Sequence, residues 1–144
     1  MKTTVIVFVV LAGVVGQLET ATTFAAEGKE KPSATEKKEA FRNIDVAGFE
    51  KLRAERSNVV LDVRTAKEFE AGHVPGAVNI DVNSADFQEK VAKLDRNKTY
   101  LVHCAAGGRS VKACGKLDQL GFPKLYNLEG GFNAWQKAGN KPEK

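Results

Sequence analysis

Cysteine is scarce in this chain of 144 residues, in which it occurs only as Cys104 and Cys114. Two cysteines are too few for the disulfide framework that stabilises many small secreted domains, and the spacing between them matches no zinc-binding pattern. The sequence therefore predicts no disulfide-dependent fold and no bound metal, and it indicates no cofactor.

A strong excess of charge is also missing. The 22 lysines and arginines against 18 aspartates and glutamates leave a formal net charge of +4. This mild excess suits the attraction of small anions, but there is no cluster of basic residues interleaved with aromatic ones, so a nucleic-acid partner is not expected. At this length one domain has room for a proper core, whereas two would be cramped.

The apolar run at 5–16, "VIVFVVLAGVVG", is too short to span a bilayer comfortably and is typical of the central part of a signal peptide. Small residues suited to cleavage follow it. We predict that residues 1–26 are a signal peptide that directs the protein to the periplasm or the exterior. The alternative is an uncleaved anchor, which places the domain in the same compartment; no other contact with the membrane is expected.

Residues 27–40 carry four glutamates and four lysines and almost nothing apolar. This composition predicts a charged, flexible linker. The segments 1–26 and 27–40 each sum to zero charge, so the whole excess belongs to residues 41–144, which we predict to be the folded domain.

Strand and helix patterns alternate within 41–144. Apolar runs at 58–63 and 99–104 are typical of strands buried on both faces of a parallel sheet. Weaker strand patterns lie at 42–45, 77–82 and 124–129, and helical patterns lie at 47–56, 66–71, 85–94, 110–120 and 131–138. Thr65 and Glu68 fit a capping box at the start of the second helix. The alternation predicts an α/β domain with a parallel five-stranded sheet and helices on both of its faces.

Cys104 ends one of these predicted strands, at the edge of the sheet where ligands of such folds bind. The four small residues that follow it are Ala105, Ala106, Gly107 and Gly108. Without bulky side chains the backbone can curl tightly and direct its N–H groups to one point. The helix predicted to begin near Ser110 adds its positive end, which favours a thiolate, and Arg109 adds a charge suited to an anionic substrate oxygen.

Three segments carry a resemblance to a known family. They are "LDVRTAKEFEAGHVPGAVNI" at 61–80, "HCAAGGRS" at 103–110 and "LEGGFNAW" at 128–135. In this order, and over about residues 41–140, they make the sequence resemble the rhodanese family of sulfurtransferases. The first segment is similar to the family's signature around its second strand, the second matches its active-site loop in the Cys-x-x-Gly-x-Arg-Ser form, and the third resembles its closing Gly-Gly-x-x-x-Trp segment.

The resemblance implies a two-step sulfur transfer in a rhodanese-like fold. The thiolate of Cys104 attacks the outer sulfur of an anionic donor such as thiosulfate, sulfite leaves, and a persulfide remains on Cys104. Cyanide or a thiol then accepts the sulfur. Backbone amides of the loop, from Ala105 to Arg109, are expected to stabilise the sulfur anion, with Ser110 closing the substrate-binding loop. Arg109 is expected to bind the donor's sulfonate. A single domain of this family can work alone, so we expect a monomer.

Two other functions stay open. Phosphatases and arsenate reductases on this fold need five residues between the cysteine and the arginine, whereas only four separate Cys104 from Arg109. A persulfide carrier or docking module without turnover is the second alternative. Family members of that kind often lack the cysteine, which this chain retains.

The remaining polar candidates have simpler interpretations. Neighbouring residues of a strand point to opposite faces, so we expect His103 to face away from the sulfur of Cys104. Asp62 and Arg64 are expected to form a buried salt bridge or to support the loop; a contribution of Arg64 to the binding of a charged substrate is the alternative. Cys114 lies on the apolar face of the helix after the loop, which favours a buried thiol over a resolving cysteine.

Overall fold

The computed structural model describes residues 39–144. The predicted signal peptide and nearly all of the predicted linker lie outside these residues. The described elements, in chain order, are β1 (Arg42–Ile44), α1 (Val46–Arg53), β2 (Val59–Asp62), α2 (Ala66–Ala71), β3 (Val78–Asn79), α3 (Phe87–Ala92), β4 (Tyr100–His103), α4 (Gly108–Gln119), β5 (Leu125–Leu128) and α5 (Gly131–Lys137). Within 39–144 no helix combines the length and the apolar character needed to cross a bilayer.

The strands form one parallel sheet in the order β1-β5-β4-β2-β3. Each residue of β4 is buried, because apolar side chains cover both faces of the sheet at its centre. Tyr100 and Val102 join a cluster with residues of α3 and α4, whereas Leu101 joins Phe49 of α1 and Trp135 of α5 on the other face. The predicted α/β fold, with a parallel five-stranded sheet between helices, is confirmed.

The start of α4 differs from the sequence prediction. The helix begins at Gly108, two residues before the predicted start near Ser110. Gly107 precedes it with a φ of 106°, a left-handed conformation that turns the chain sharply and that glycine adopts at little cost. Arg109 therefore belongs to the first turn of α4, which fixes the direction of its side chain more firmly than a free loop does.

Candidate active site

Cys104 directly follows β4 at the carboxyl end of the sheet, and only 1% of its surface is exposed. Its sulfur faces the curled chain that leads into α4. The backbone N–H of Gly107 donates a hydrogen bond to Sγ at 3.1 Å, and Oγ of Ser110 lies 3.5 Å from Sγ. The same hydroxyl lies 2.8 Å from the carbonyl oxygen of Gly107. The Ser110 hydroxyl can donate only one hydrogen bond. A thiolate on Cys104 attracts that proton more strongly than the neutral carbonyl oxygen of Gly107 does.

These donors make Cys104 more acidic than an ordinary cysteine. Burial acts most strongly and opposes ionisation, but hydrogen bonds from the Ser110 hydroxyl and from the backbone N–H groups of Ser110, Gly107 and Ala106 together outweigh it. The pKa of the Cys104 thiol is therefore lowered. The structure thus brings the loop residues and Ser110 together around a thiol whose pKa they lower.

The first turn of α5 holds the other side of the loop. The N–H of Phe132 donates to the carbonyl oxygen of Cys104 at 2.7 Å, and the N–H of Asn133 donates to that of Ala105 at 3.0 Å. Two bonds of this kind fix the peptide groups on which the position of the thiol depends. The "LEGGFNAW" segment is recognisable in the sequence only by its resemblance to the family, and no local pattern predicts this contact with the loop.

Arg109 does not project freely into solvent. Its Nη1 and Nη2 atoms bind the two carboxylate oxygens of Glu68 at 2.8 and 2.7 Å, a two-bonded pairing between α4 and α2. The hydrogen bonds from Arg109, helped by those from Thr65, lower the pKa of Glu68 to about 2 although desolvation opposes them. Sequence reasoning identified Glu68 only as a capping residue; its partner is too distant along the chain to be read from local spacing.

Asp62 and Arg64 form a buried ion pair next to the loop. Nε of Arg64 lies 3.0 Å from both carboxylate oxygens of Asp62, and Nη2 lies 2.6 Å from Oδ2. The same guanidinium donates to the carbonyl oxygen of Gly72 at 2.9 Å and lies 4.1 Å over the ring of Phe132. Arg64 thus connects the end of β2 to the end of α2 and to α5, which is an arrangement that supports the site mechanically.

The ring of His103 lies on the opposite face of the sheet from the sulfur. It packs against Phe49 and Phe132, and its Nε2 atom is 3.7 Å from a carboxylate oxygen of Asp62. Burial lowers the pKa of His103, and the carboxylate of Asp62 only partly offsets this effect. A neutral imidazole in this position has no path to the proton of Cys104.

An open cavity of about 340 Å³ lies beside the loop. Its lining includes Arg64, Glu68, Ala105, Asn133, Gln136 and Pro142. Pockets of this size accommodate small organic ligands. The cavity therefore offers space for a small molecule beside the loop.

Alkylation distinguishes the two cysteines. Cys114 is fully buried in the core, and burial raises its pKa to about 12. We expect iodoacetamide to modify Cys104 of the native protein at a rate that rises with pH and reaches half its maximum at a lower pH than for free cysteine, because only the thiolate reacts. Cys114 should react only after unfolding. Peptide mapping by mass spectrometry measures both rates. If the two thiols reacted equally fast in the native protein, Cys104 would not be the more acidic and more reactive cysteine.

The chain is similar in sequence to proteins of one known family. The family model "Rhodanese-like domain" matches residues 45–138. A thiosulfate sulfurtransferase, GlpE, of Pseudomonas savastanoi pv. phaseolicola is 37% identical over 97 residues, which cover 67% of this chain and 88% of the relative. Thiosulfate sulfurtransferase 16 of Arabidopsis thaliana, a chloroplast protein, is 37% identical over 89 residues, which cover 55% of this chain and 74% of the relative.

Solved structures give the same result. The crystal structure of a rhodanese-related protein from Thermoplasma volcanium superposes with a TM-score of 0.64 at 33% sequence identity, covering 72% of this chain and 98% of that one. The described domain, its cysteine loop and its relatives therefore agree with the resemblance seen in the sequence, and the chain belongs to the rhodanese family.

Proposed function

We propose that the protein is a sulfurtransferase that carries sulfane sulfur as a persulfide on Cys104. In the first step the thiolate attacks the outer sulfur of thiosulfate, a new S–S bond forms, the S–S bond of thiosulfate breaks, and sulfite leaves with the bonding electrons. In the second step cyanide or a thiolate takes the outer sulfur and the thiolate of Cys104 returns. Neither step needs a cofactor or an external oxidant.

The observation that carries this proposal is the set of hydrogen-bond donors around the sulfur. The N–H of Gly107 and the hydroxyl of Ser110 face Sγ, and nearby N–H groups of the loop also favour its charged form. Such donors stabilise the thiolate before transfer and the persulfide anion after it, as an oxyanion hole stabilises an oxygen anion. The thiosulfate sulfurtransferases among the relatives support the same chemistry.

Phosphatase or arsenate chemistry has less support. Four residues separate Cys104 from Arg109, and Gly108 already belongs to α4, so the loop is short for a tetrahedral oxyanion. In addition, the guanidinium that such an enzyme needs for its substrate is paired with Glu68.

Mass spectrometry of the protein after incubation with thiosulfate tests the proposal. We expect the peptide that contains Cys104 to gain one sulfur atom and to lose it on addition of cyanide. Cys104→Ser is the control and should gain none. No adduct on the wild-type protein, under conditions that load a known rhodanese, would contradict a persulfide mechanism; loading without release to cyanide or to any thiol would favour the carrier alternative.

A further inference from the structure

We propose that Glu68 selects the sulfur donor by charge: its pairing with Arg109 disfavours the sulfonate of thiosulfate and favours hydropersulfides whose carbon portion is neutral or cationic. This inference rests on the proposed function and names the substrate class for it. It differs from the expectation drawn from the family resemblance, in which Arg109 receives an anionic donor.

The pairing occupies the end of the Arg109 guanidinium that carries its two terminal nitrogens, and it balances the charge of that group. Both terminal nitrogens of Arg109 donate to the carboxylate of Glu68, at 2.8 and 2.7 Å. A sulfonate that binds Arg109 in the same two-bonded way must displace this carboxylate. Glu68 would then lose its ion pair with Arg109, and its carboxylate would repel the thiosulfate dianion beside it. Both effects disfavour the binding of thiosulfate.

The carboxylate is itself held in place. Oε2 of Glu68 accepts hydrogen bonds from the N–H of Thr65 at 3.0 Å and from its hydroxyl at 2.8 Å, as part of the capping box of α2. The low pKa of Glu68, about 2, keeps the group ionised throughout the physiological range. The negative charge is therefore a fixed feature of the site.

The residues that line the neighbouring cavity offer no positive charge without a carboxylate partner. Glu68 contributes a carboxylate to its lining, and Asn133 and Gln136 contribute amides. The guanidinium of Arg64 also lines it, but that group is bound to Asp62. Both arginines at this end of the sheet are thus matched by a carboxylate. Ammonium, amide and hydroxyl groups find partners in such a cavity, whereas a sulfonate finds no uncommitted cation among these residues.

The transfer from a hydropersulfide R–S–S–H is balanced without further reactants. The thiolate of Cys104 bonds to the outer sulfur, the S–S bond of the donor breaks, and R–S⁻ leaves with the bonding pair. The proton stays on the transferred sulfur until the new persulfide ionises. The group R, which leaves as a thiolate, is the part that the cavity would hold.

Two reagents of opposite charge test the inference. The 2-(trimethylammonio)ethyl and 2-sulfonatoethyl methanethiosulfonates both transfer an alkylthio group to a thiolate and release methanesulfinate, and they differ in the charge that the alkyl group brings. We would measure the rate constants of Cys104 modification and take the cation-to-anion ratio. Glu68→Gln should lower this ratio about tenfold, as expected for loss of one nearby charge. The kcat/KM for thiosulfate should rise by a similar factor.

The substitutions are chosen so that damage to the fold does not imitate the effect. Glutamine at position 68 can still complete the capping box, so α2 is preserved. Glu70→Gln, which removes the same charge from an exposed position of the same helix, should change the ratio less than twofold. Arg109→Gln leaves Glu68 unopposed and should raise the ratio. A general loss of structure would not lower the cation-to-anion ratio in Glu68→Gln and raise it in Arg109→Gln.

The outcomes separate the two proposals. An unchanged ratio in Glu68→Gln, or an equal fall in Glu70→Gln, would overturn the role of Glu68, even if Cys104 still takes up sulfur. Opposite shifts in Glu68→Gln and Arg109→Gln would support it. Failure of the wild-type protein to form a persulfide from either thiosulfate or a hydropersulfide would overturn the proposed function itself, because the methanethiosulfonates report only the charge around the thiolate.

Discussion

Cys104→Ala is expected to reduce the formation of thiocyanate from thiosulfate and cyanide to background, a loss of at least about a thousandfold in kcat. The reason is chemical: without the sulfur atom there is no nucleophile to take sulfur from the donor and no covalent carrier to hold it. In the variant, the N–H of Gly107 and the hydroxyl of Ser110, which face Sγ in the wild-type protein, have no sulfur anion to stabilise. A colorimetric thiocyanate assay under steady-state conditions measures the effect.

The matched control is Cys114→Ala. This thiol is fully buried in the core cluster with Ala113 and Leu117. Loss of its sulfur should leave the rate within about twofold of wild type and cost about 1 kcal/mol of the free energy of unfolding, the usual order for a small cavity. Full activity of Cys104→Ala would mean that another group carries the sulfur. Equal inactivation by both substitutions would instead indicate disturbed packing.

The sequence permitted correct prediction of the features that depend on local pattern. The runs that contain β2 and β4 are apolar without interruption because both faces of the sheet are covered, and this property is visible in the sequence alone. The alternation of side chains along β4 also predicted the opposite orientations of His103 and Cys104. The structure places the ring of His103 against Phe49 and the sulfur among the residues of the other cluster.

Features that depend on distant pairs could not be predicted in this way. Glu68 and Arg109 are separated by 41 positions along the chain, and the capping box fully accounts for the glutamate at the level of local pattern. The parallel order of the sheet brings the first turn of α2 next to the start of α4, and only then does the carboxylate meet the guanidinium. The start of α4 differs from its prediction for a local reason: nothing in "AAGG" shows which of the two glycines takes the positive φ.

Gly131→Ala is expected to have the second large effect, on both stability and activity. Gly131 begins α5 with a φ of 58°, and a Cβ atom there would lie 2.5 Å from the carbonyl oxygen of Cys104 and 2.8 Å from that of Ala105. The atoms it meets are backbone atoms of the loop that follows β4, so no side chain can rotate away. We expect a loss of about 4 kcal/mol in the free energy of unfolding, from overpacking added to the cost of a left-handed alanine.

The same clash must displace the backbone of Cys104 and Ala105, in the loop that follows β4. Relief requires the loop and α5 to separate, which weakens the bonds from Phe132 to Cys104 and from Asn133 to Ala105. A displacement of about 1 Å at a reacting group costs on the order of a hundredfold in rate, and we expect a loss of this size in kcat. Urea denaturation and the thiocyanate assay, both done at a temperature where the variant is folded, measure the two effects separately.

Gly121→Ala is the control for backbone conformation. Gly121 has a φ of 84°, but a Cβ atom there meets nothing within 4 Å. This substitution carries the conformational cost of a left-handed alanine without the clash, so it should lose about 1 kcal/mol and keep near wild-type activity. Equal losses of stability in the two variants would show that φ alone accounts for the glycine at 131. A much larger loss in Gly131→Ala, accompanied by slower alkylation of Cys104, would show that this glycine lets α5 approach and hold the loop.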